Sequence, residues 1–328
     1  MNQVDEATLE HHRSACEQLR ARIAERFLGS EDALEQLLLC LLAGGNALIE
    51  GAPGLGKTTL VRAVAASLGM DFRRVQFTPD LMPADILGAR LLEEDAAGRR
   101  HFRFQEGPVF THVLLADEVN RATPRTQSAL LEAMQEHQVT VFGETRPLPR
   151  PFFVIATQNP LEMEGTYPLP EAQLDRFLLK IDVAAPDADD LVRILEATHS
   201  QDQAEPEALL DASRVLEIQA LVDTLPASKA ILRRIARLVR ATHPEADEAP
   251  DLVRRCVRHG ASPRGGQSIL LAARSRAFLA GRLHVSDEDI DAVATPALRH
   301  RILLGYEGEA SGVRPDELVA AALDASCG

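Results

Sequence analysis

The chain has 328 residues, which is enough for one large domain or two medium domains, each with its own core. A hydrophobic fraction of 45% beside 26% charged residues is typical of a globular protein, and 4% aromatic residues without Trp predict an aliphatic core. The formal net charge of −14 argues against a general nucleic-acid-binding or membrane-binding surface, although a local basic stripe is compatible with it.

The targeting and redox features of the chain indicate a cytoplasmic protein without membrane insertion. The longest apolar run, residues 37–43, is too short to span a bilayer, and the first residues lack the basic and then apolar pattern of a signal peptide. The cysteines have neither metal-binding nor redox spacing and are predicted to be free thiols in a reducing compartment: Cys16, Cys40, Cys256 and Cys327.

Two helices are predicted before the first strand. Residues 6–23 are polar with apolar positions three and four apart, and residues 32–42 form a largely buried helix that starts after Ser30. The sequence Gly44-Gly45-Asn46 ends this helix, and residues 47–50 are an apolar strand. The strand leads directly into a glycine-rich loop.

This loop matches the phosphate-binding pattern G-x-x-x-x-G-K-[ST] between a strand and a helix. Its glycines let the backbone curl so that successive N–H groups face phosphate oxygens. Lys57 can reach the β- and γ-phosphates, and the Thr58 hydroxyl can bind Mg²⁺. A chance match in a chain of this length and composition is expected about 10⁻³ times. The predicted nucleotide-binding residues are Gly51, Ala52, Pro53, Gly54, Leu55, Gly56, Lys57, Thr58 and Thr59.

The chain then alternates between strands and helices as far as residue 183. Four further strands are predicted at residues 72–77, 112–118, 152–157 and 177–183. Helical segments are predicted at residues 83–88, 124–136 and 171–176. Two inserted hairpins are predicted at residues 89–104 and 138–149. Five strands separated by helices predict an α/β fold with a parallel sheet wrapped by helices.

Only helices are predicted after Pro186, at residues 189–199, 213–225, 228–242, 263–280 and 286–304. The sequence Pro186-Asp187-Ala188-Asp189 is the natural joint between the two parts. We therefore predict an α/β core with N-terminal helices and two hairpins at residues 1–185, and a helical domain at residues 186–328.

Asp117 and Glu118 follow four apolar residues, at the carboxyl end of a predicted central strand, where open α/β sheets bind ligands. Asp117 is a candidate metal residue that would hold Mg²⁺ directly or through water. Glu118 can polarise a water for attack on the γ-phosphate, which predicts hydrolysis. The alternative is an acidic pair that caps the next helix.

Three further polar residues are candidates for this site. Asn159 follows the strand at residues 152–157 and can hydrogen-bond the attacking water or the γ-phosphate, although Asn-Pro after a strand is also an ordinary turn. Arg176 precedes the last strand, where an arginine is most often solvated or paired with a carboxylate. Arg264 opens a helix after Pro263 and, on residues alone, is a helix-start arginine directed outward.

The order of these segments resembles an AAA+ ATPase, and more closely the MoxR family within the clade that carries an insert in its second helix. The resemblance covers residues 46–304. The segments that carry it are residues 51–59, 77–88, 107–110, 117–122, 142–145, 156–160, 164–177 and 262–264.

This resemblance implies a three-layer P-loop NTPase core with a small all-α lid, ATP bound between them, and a homo-oligomeric ring that is usually hexameric. It implies that Arg176 is an arginine finger for the neighbour's ATP, Asn159 the first sensor, and Arg264 the second sensor, in cis or in trans. The hairpins would face the pore or a protein client. Such proteins resemble chaperone-like remodelling motors that work with a partner containing a von Willebrand factor A domain.

One departure from the family pattern concerns the second sensor. Gly265 and Gly266 follow Arg264 where the family more often has Ala, and glycine costs about 1 kcal/mol in a helix. We therefore expect this helix to begin late or to flex.

Three other functions remain open at this point. A nucleic-acid motor shares this core, but Arg99, Arg100 and Arg103 are the only basic cluster that could serve one. A metal-insertion subunit similar to the magnesium chelatase ATPase is a close relative. A nucleotide-sensing scaffold with little turnover is a third possibility, and the intact Glu118 and Arg176 argue against it.

Overall fold

The computed structural model describes residues 6–326 except 26, 28, 95, 97, 161–164 and 198–207. Cys327, Glu164 of the family segment and the predicted helix end at His199 therefore lie outside the described residues. The strands are β1 Asn46–Glu50, β2 Leu68–Gly69, β3 Phe72–Gln76, β4 Gly88–Glu94, β5 Arg100–Glu106, β6 Val113–Asp117, β7 Gln138–Val141, β8 Glu144–Pro147, β9 Phe153–Gln158, β10 Phe177–Asp182, β11 Leu210–Asp211, β12 Val257–His259 and β13 Leu303–Leu304.

Helices surround and follow these strands. They are α1 Glu6–Ala24, α2 Glu31–Leu42, α3 Lys57–Ser67, α4 Pro83–Leu87, α5 Pro124–Glu136, α6 Glu171–Leu174, α7 Ala188–Ala197, α8 Ala212–Thr224, α9 Lys229–Ala241, α10 Asp251–Cys256, α11 Pro263–Leu279, α12 Asp287–Leu298, α13 Tyr306–Ser311 and α14 Pro315–Ser326. Strand β6 is followed by a 3₁₀ turn, Val119–Arg121.

The central sheet has five parallel strands in the order β10-β1-β9-β6-β3. Alternate residues of its strands enter two different cores, as strands buried on both faces require. Ala47 and Ile49 of β1 join one core with α2, α3 and helices from the C-terminal part. Leu48 joins the other, with residues of α4 and α5. This arrangement confirms the predicted three-layer α/β fold.

The C-terminal helices share the first of these cores. Val215 of α8, Ile269 of α11, Val293 of α12 and Leu318 of α14 belong to the same buried cluster as α2 and the sheet. The predicted division between residues 185 and 186 lies just after β10, and it stays a prediction.

The predicted helix at residues 286–304 is wrong beyond Leu298. Helix α12 ends there, two residues after Pro296, which cannot donate a backbone hydrogen bond. The chain then turns so that His300 and Arg301 bond the Phe177 carbonyl of β10. Residues of β13 pair with β12, a short antiparallel contact for which the sequence gives no strong signal. Helices α10, α13 and α14 are present in addition to the predicted helices.

Helix α11 begins at Pro263, so the expected late start is also wrong. Ser262 caps the helix through a hydrogen bond from the Arg264 N–H at 3.1 Å. Gly265 is buried beneath Leu298: a Cβ there would lie 2.9 Å from the Leu298 Cδ2 and 3.2 Å from the Arg301 Cδ. The glycine that lowers helix propensity therefore permits close packing of α11 on α12.

The two predicted hairpins are present and joined to each other. Arg90 of the first hairpin, β4 with β5, donates to Glu144 of the second, β7 with β8, at 2.6 Å. The Arg90 guanidinium also lies 5.2 Å from the centre of the Phe142 ring, and Arg146 lies 4.2 Å from that of Phe104. These cation–π contacts and the ion pair hold the hairpins together on one side of the core.

Two predictions about the chain's environment can be compared with the structure. Among the described residues, Cys16, Cys40 and Cys256 are free, as predicted, and all three are buried. Burial raises the pKa of the Cys16 thiol to about 12, so it is protonated at neutral pH. None of the described helices is long and apolar enough to cross a membrane.

Gly265 and Gly266 form a matched pair for testing the packing of α11. Gly265→Ala should lower the melting temperature because Leu298, which is fully buried, must move. Gly266→Ala should raise stability by up to about 1 kcal/mol, since its Cβ would meet only ordinary contacts at 3.4 and 3.5 Å. Thermal unfolding of both variants measures the difference. Equal shifts in the same direction would contradict the packing role of Gly265.

Candidate active site

The loop at residues 51–59 joins β1 to α3 at the carboxyl edge of the sheet. Gly54 and Gly56 have φ angles of +82° and +77°, which residues with a Cβ rarely adopt. A Cβ on Gly54 would meet nothing within 4 Å, so this position requires glycine for its backbone angle and not for space. A backbone curled in this way before a helix start can direct successive N–H groups at a phosphate.

Lys57 is the first residue of α3, and its ammonium group bonds carbonyl oxygens of the loop and of β9. Nζ donates to Gly51, to Ala52 at 3.1 Å and to Gln158 at 3.5 Å. The Gln158 contact ties the loop to the end of β9, one residue before Asn159. Lys57 therefore lies between two strand ends of the central sheet, where it can reach phosphates held by the loop.

Asp117 ends β6 and is 5% exposed. Its Oδ1 accepts a hydrogen bond from the Thr157 hydroxyl at 2.6 Å, and its Oδ2 lies 3.5 Å from the Thr58 hydroxyl. Arg74 of the edge strand β3 donates two hydrogen bonds to Oδ2, at 2.7 and 3.0 Å. The carboxylate is therefore held by groups from three neighbouring elements.

These oxygens fit a magnesium ion. Mg²⁺ binds hydroxyl and carboxylate oxygens. The Thr58 hydroxyl lies 3.5 Å from the Asp117 Oδ2. Arg74 bonds the same carboxylate oxygen and would compete with the ion for it. An ion held through a water molecule, or a shift of the Arg74 side chain, would satisfy both groups.

Glu118 adopts a left-handed backbone conformation, with φ 56° and ψ 49°. For a residue with a Cβ this costs about 1–2 kcal/mol, so its surroundings must stabilise it. The Glu118 N–H donates to the Thr157 hydroxyl at 2.9 Å, and Gln76 donates to its carboxylate at 2.7 Å. Arg121 lies 3.0 Å from the same carboxylate. With this backbone conformation, the Glu118 carboxylate meets Gln76 at the end of the edge strand β3.

Asn159 follows β9 at the same edge of the sheet and is 3% exposed. Its backbone carbonyl oxygen accepts a hydrogen bond from the Asn120 side-chain amide at 3.5 Å. The structure therefore brings together the phosphate loop, Asp117, Glu118 and Asn159 at the carboxyl edge, as the sequence predicted from strand order.

Arg176 and Arg264 lie at the opposite edge. Arg176 directly precedes β10, whose first residue, Phe177, pairs with Asn46 at the start of β1. Both arginines line one cavity of about 260 Å³ together with Asn46. Because β1 and β10 are parallel, this cavity lies at the amino edge, whereas the phosphate loop follows the carboxyl end of β1. The structure thus separates the two arginines from the other candidate residues of the same chain.

Several residues that were not among the predicted site residues support the site. Arg74 and Gln76 alternate along β3 and so share one face of the strand, a signal that the sequence contained. The Thr157 hydroxyl joins Asp117 to Glu118, a role that its position in a predicted strand does not indicate. The bonds of Asp175 to Arg301, across 126 positions of sequence, had no local signal.

Comparisons with known proteins identify the family. Residues 46–179 match the model of the ATPase family associated with various cellular activities (AAA), and residues 250–322 match the AAA lid domain. The Mycobacterium tuberculosis protein Chaperone MoxR1 is 41% identical over 294 residues, which are 89% of this chain and 76% of the relative. This chain belongs to the MoxR family of AAA ATPases.

Two further comparisons span nearly the whole of this MoxR-family chain. Protein MoxR of Methylorubrum extorquens is 35% identical over 330 residues, covering 95% of this chain and 94% of the relative. A crystal structure of a Cytophaga hutchinsonii protein has a TM-score of 0.89 at 37% identity and covers 96% of this chain and 95% of that one. The prediction of an ATP-hydrolysing enzyme with a P-loop core and an AAA lid is confirmed.

Thr157→Val tests the hydroxyl that joins the two carboxylate residues. The variant removes a donor to Asp117 and the acceptor of the Glu118 N–H, and a bond to a charged group is worth about 1.5–3 kcal/mol. We expect kcat for ATP hydrolysis to fall by about 10- to 100-fold, measured by phosphate release. Thr140→Val, which removes an exposed hydroxyl contact in the second hairpin, is the matched control. An unchanged kcat in Thr157→Val would contradict this role.

Proposed function

We propose that this MoxR-family ATPase forms a ring, usually hexameric, in which each ATP is bound by one subunit and completed by the next. ATP hydrolysis would drive chaperone-like remodelling or activation of a protein partner. Two sets of residues lie at opposite edges of one sheet, and each set alone would form half of a hydrolytic site.

The separation of the two sets is the observation that carries the proposal. The phosphate loop follows the carboxyl end of β1, whereas Arg176 and Arg264 share a cavity with Asn46 at its amino end. At about 3.3 Å per residue, the five residues of β1 separate the two edges by roughly 15 Å. An arginine at the amino edge is therefore poorly placed for the ATP of its own chain. A neighbouring subunit docked against this edge would bring its ATP to both arginines, which supports action of Arg264 in trans.

At the carboxyl edge each residue has a distinct proposed role. The loop N–H groups and Lys57 would bind the phosphates of ATP, and Glu118 would orient and deprotonate the attacking water. Asn159 would bond that water or the γ-phosphate. Bound Mg²⁺, with Thr58 and Asp117 as candidate ligands, would neutralise charge on the β- and γ-phosphates.

A protein partner is supported over a nucleic acid by the charges of the first hairpin. Arg100 lies 3.3 Å from Glu94, and Arg103 lies 3.3 Å from Glu93, so acidic residues across the hairpin offset these arginines. The net charge of −14 acts in the same direction. One relative carries the name Chaperone MoxR1. From the family resemblance we propose a partner with a von Willebrand factor A domain, which affinity capture from the native host would test. Strong stimulation of hydrolysis by DNA would contradict a protein partner.

Two variants separate nucleotide binding from hydrolysis. Lys57→Ala removes the cation of the phosphate loop and should abolish ATP binding measured by calorimetry. Glu118→Gln keeps the size and polarity of the side chain but not its basicity, so it should retain binding and lose most turnover. If Glu118→Gln hydrolysed ATP at the rate of the unmodified protein, the proposed general base would be wrong.

Arg176→Ala tests completion of the site by a neighbour. The variant should bind ATP normally and lose about 10³-fold or more in kcat, the range reported for arginine fingers in phosphoryl transfer. The double variant Glu118→Gln/Arg176→Ala, added to the unmodified protein in increasing proportion, should depress activity more steeply than simple dilution, because each such subunit disables both its own site and the neighbour's site that it would complete. A linear decline would indicate that every chain works independently.

A further inference from the structure

The carboxylate of Asp175 lies at the amino edge, close to the Arg264 guanidinium. Asp175 directly precedes Arg176 in the chain, and its Oδ2 lies 4.0 Å from a guanidinium nitrogen of Arg264. The Ser262 hydroxyl lies 3.0 and 2.9 Å from its two carboxylate oxygens. Ser262 also caps α11 through the Arg264 N–H. One carboxylate therefore connects the chain segment of Arg176 with the helix start of Arg264.

Arg301 fixes this carboxylate from the opposite side. Its side chain is 2% exposed, and its Nε donates to the Asp175 Oδ1 at 2.8 Å. Its terminal nitrogens donate to three backbone carbonyls around Arg176 and to the hydroxyl of Ser268 in α11: Asp175 at 3.0 Å, Phe177 at 2.6 Å, Leu178 at 3.3 Å and Ser268 at 3.0 Å. A single buried guanidinium therefore bonds both the segment that carries Arg176 and the helix that carries Arg264.

Two guanidinium groups that line one cavity repel each other, and each side chain loses conformational freedom when it is held in place. The Asp175 charge offsets the repulsion, and the Arg301 bonds fix the backbone from which Arg176 extends. Interactions arranged before the substrate arrives need no reorganisation when charge develops on the transferred phosphoryl group.

We infer that Asp175 and Arg301 are positioning residues that hold Arg176 and Arg264 as one preformed pair, presented together to the ATP of the neighbouring subunit. This inference rests on the proposed function. Asp175 belongs to the α/β core and Arg301 to the C-terminal helical part, so their pair also makes the two arginines move together.

Complementation between defective subunits tests this inference. Asp175→Asn keeps the shape of the side chain but loses the charge that holds the arginines. A subunit with this substitution still has its own Glu118. Glu118→Gln subunits keep their arginines. Each variant alone should hydrolyse ATP at least 10-fold more slowly than the unmodified protein. An equimolar mixture should exceed the sum of the two activities several-fold, because a Glu118→Gln subunit can serve a neighbouring Asp175→Asn site.

A mixture of Arg176→Ala with Glu118→Gln subunits distinguishes failure of the inference from failure of the proposed function. If Arg176→Ala is complemented by Glu118→Gln and Asp175→Asn is not, the positioning role is wrong while the ring-completed site stands. If neither pair is complemented, completion of the site by a neighbour is itself wrong. Unchanged turnover in Asp175→Asn alone would also overturn the inference.

Two further variants test the inference if Asp175→Asn does not fold. Ser262→Ala breaks the link between Asp175 and the start of α11 and leaves the Asp175–Arg301 pair, so we expect a several-fold lower kcat with unchanged ATP affinity. Arg299→Met is the matched control, since Arg299 also joins the helical part to β10, through Asp182 at the strand's other end, and pairs with Asp316 at 3.0 Å. It should change the melting temperature but not kcat. An unchanged kcat in Ser262→Ala, or an equal loss in both variants, would contradict the inference.

Discussion

The parallel pairing of β1 between β9 and β10 is the constraint on which the rest of the site depends. Parallel strands expose all their carboxyl ends at one edge and all their amino ends at the other. The elements that follow β1, β6 and β9 must therefore meet, while the segment that precedes β10 must lie on the far side. The phosphate loop and Arg176 are kept apart by strand direction itself, and no side-chain change could bring them together within one chain.

At the carboxyl edge, one hydroxyl organises two acidic residues with different environments. Thr157 donates to Asp117 and accepts from the Glu118 N–H, so it uses both of its hydrogen-bonding capacities. The Glu118 backbone needs such support because its left-handed conformation is unfavourable. Asp117 is buried and held by Arg74, whereas Glu118 is only partly buried and bonds side chains near the surface. The two adjacent carboxylates therefore have different surroundings: that of Asp117 is buried and fixed, and that of Glu118 is partly exposed.

The sequence predicted the features that depend on local pattern. The five core strands, helix α5 and both hairpins follow from apolar runs, alternation and turn residues, and strand order then predicted where Asp117, Glu118 and Asn159 meet. It failed where tertiary contacts override propensity. Helix α11 begins at Pro263 despite Gly265 because Ser262 caps it, and the glycine leaves the space that Leu298 occupies. The chain leaves α12 at Leu298 because Arg301 bonds β10, and Asp175 and Arg301 lie too far apart in sequence for any local pattern to join them.

Burial of Arg301 explains why such a distant pair can control geometry so closely. Removal from water lowers the pKa of the Arg301 guanidinium, and the Asp175 carboxylate counters this effect. A buried charge without its partner is strongly unfavourable, so the two groups cannot separate while the structure stays intact. Helices α11 and α12 share a core with α2 and the sheet, so a movement of α11 away from the segment of Arg176 would break both that packing and the bonds of Arg301. In the proposed ring, the position of a neighbour's ATP would therefore be transmitted by movement of whole subunits and not by movement of α11 within one subunit.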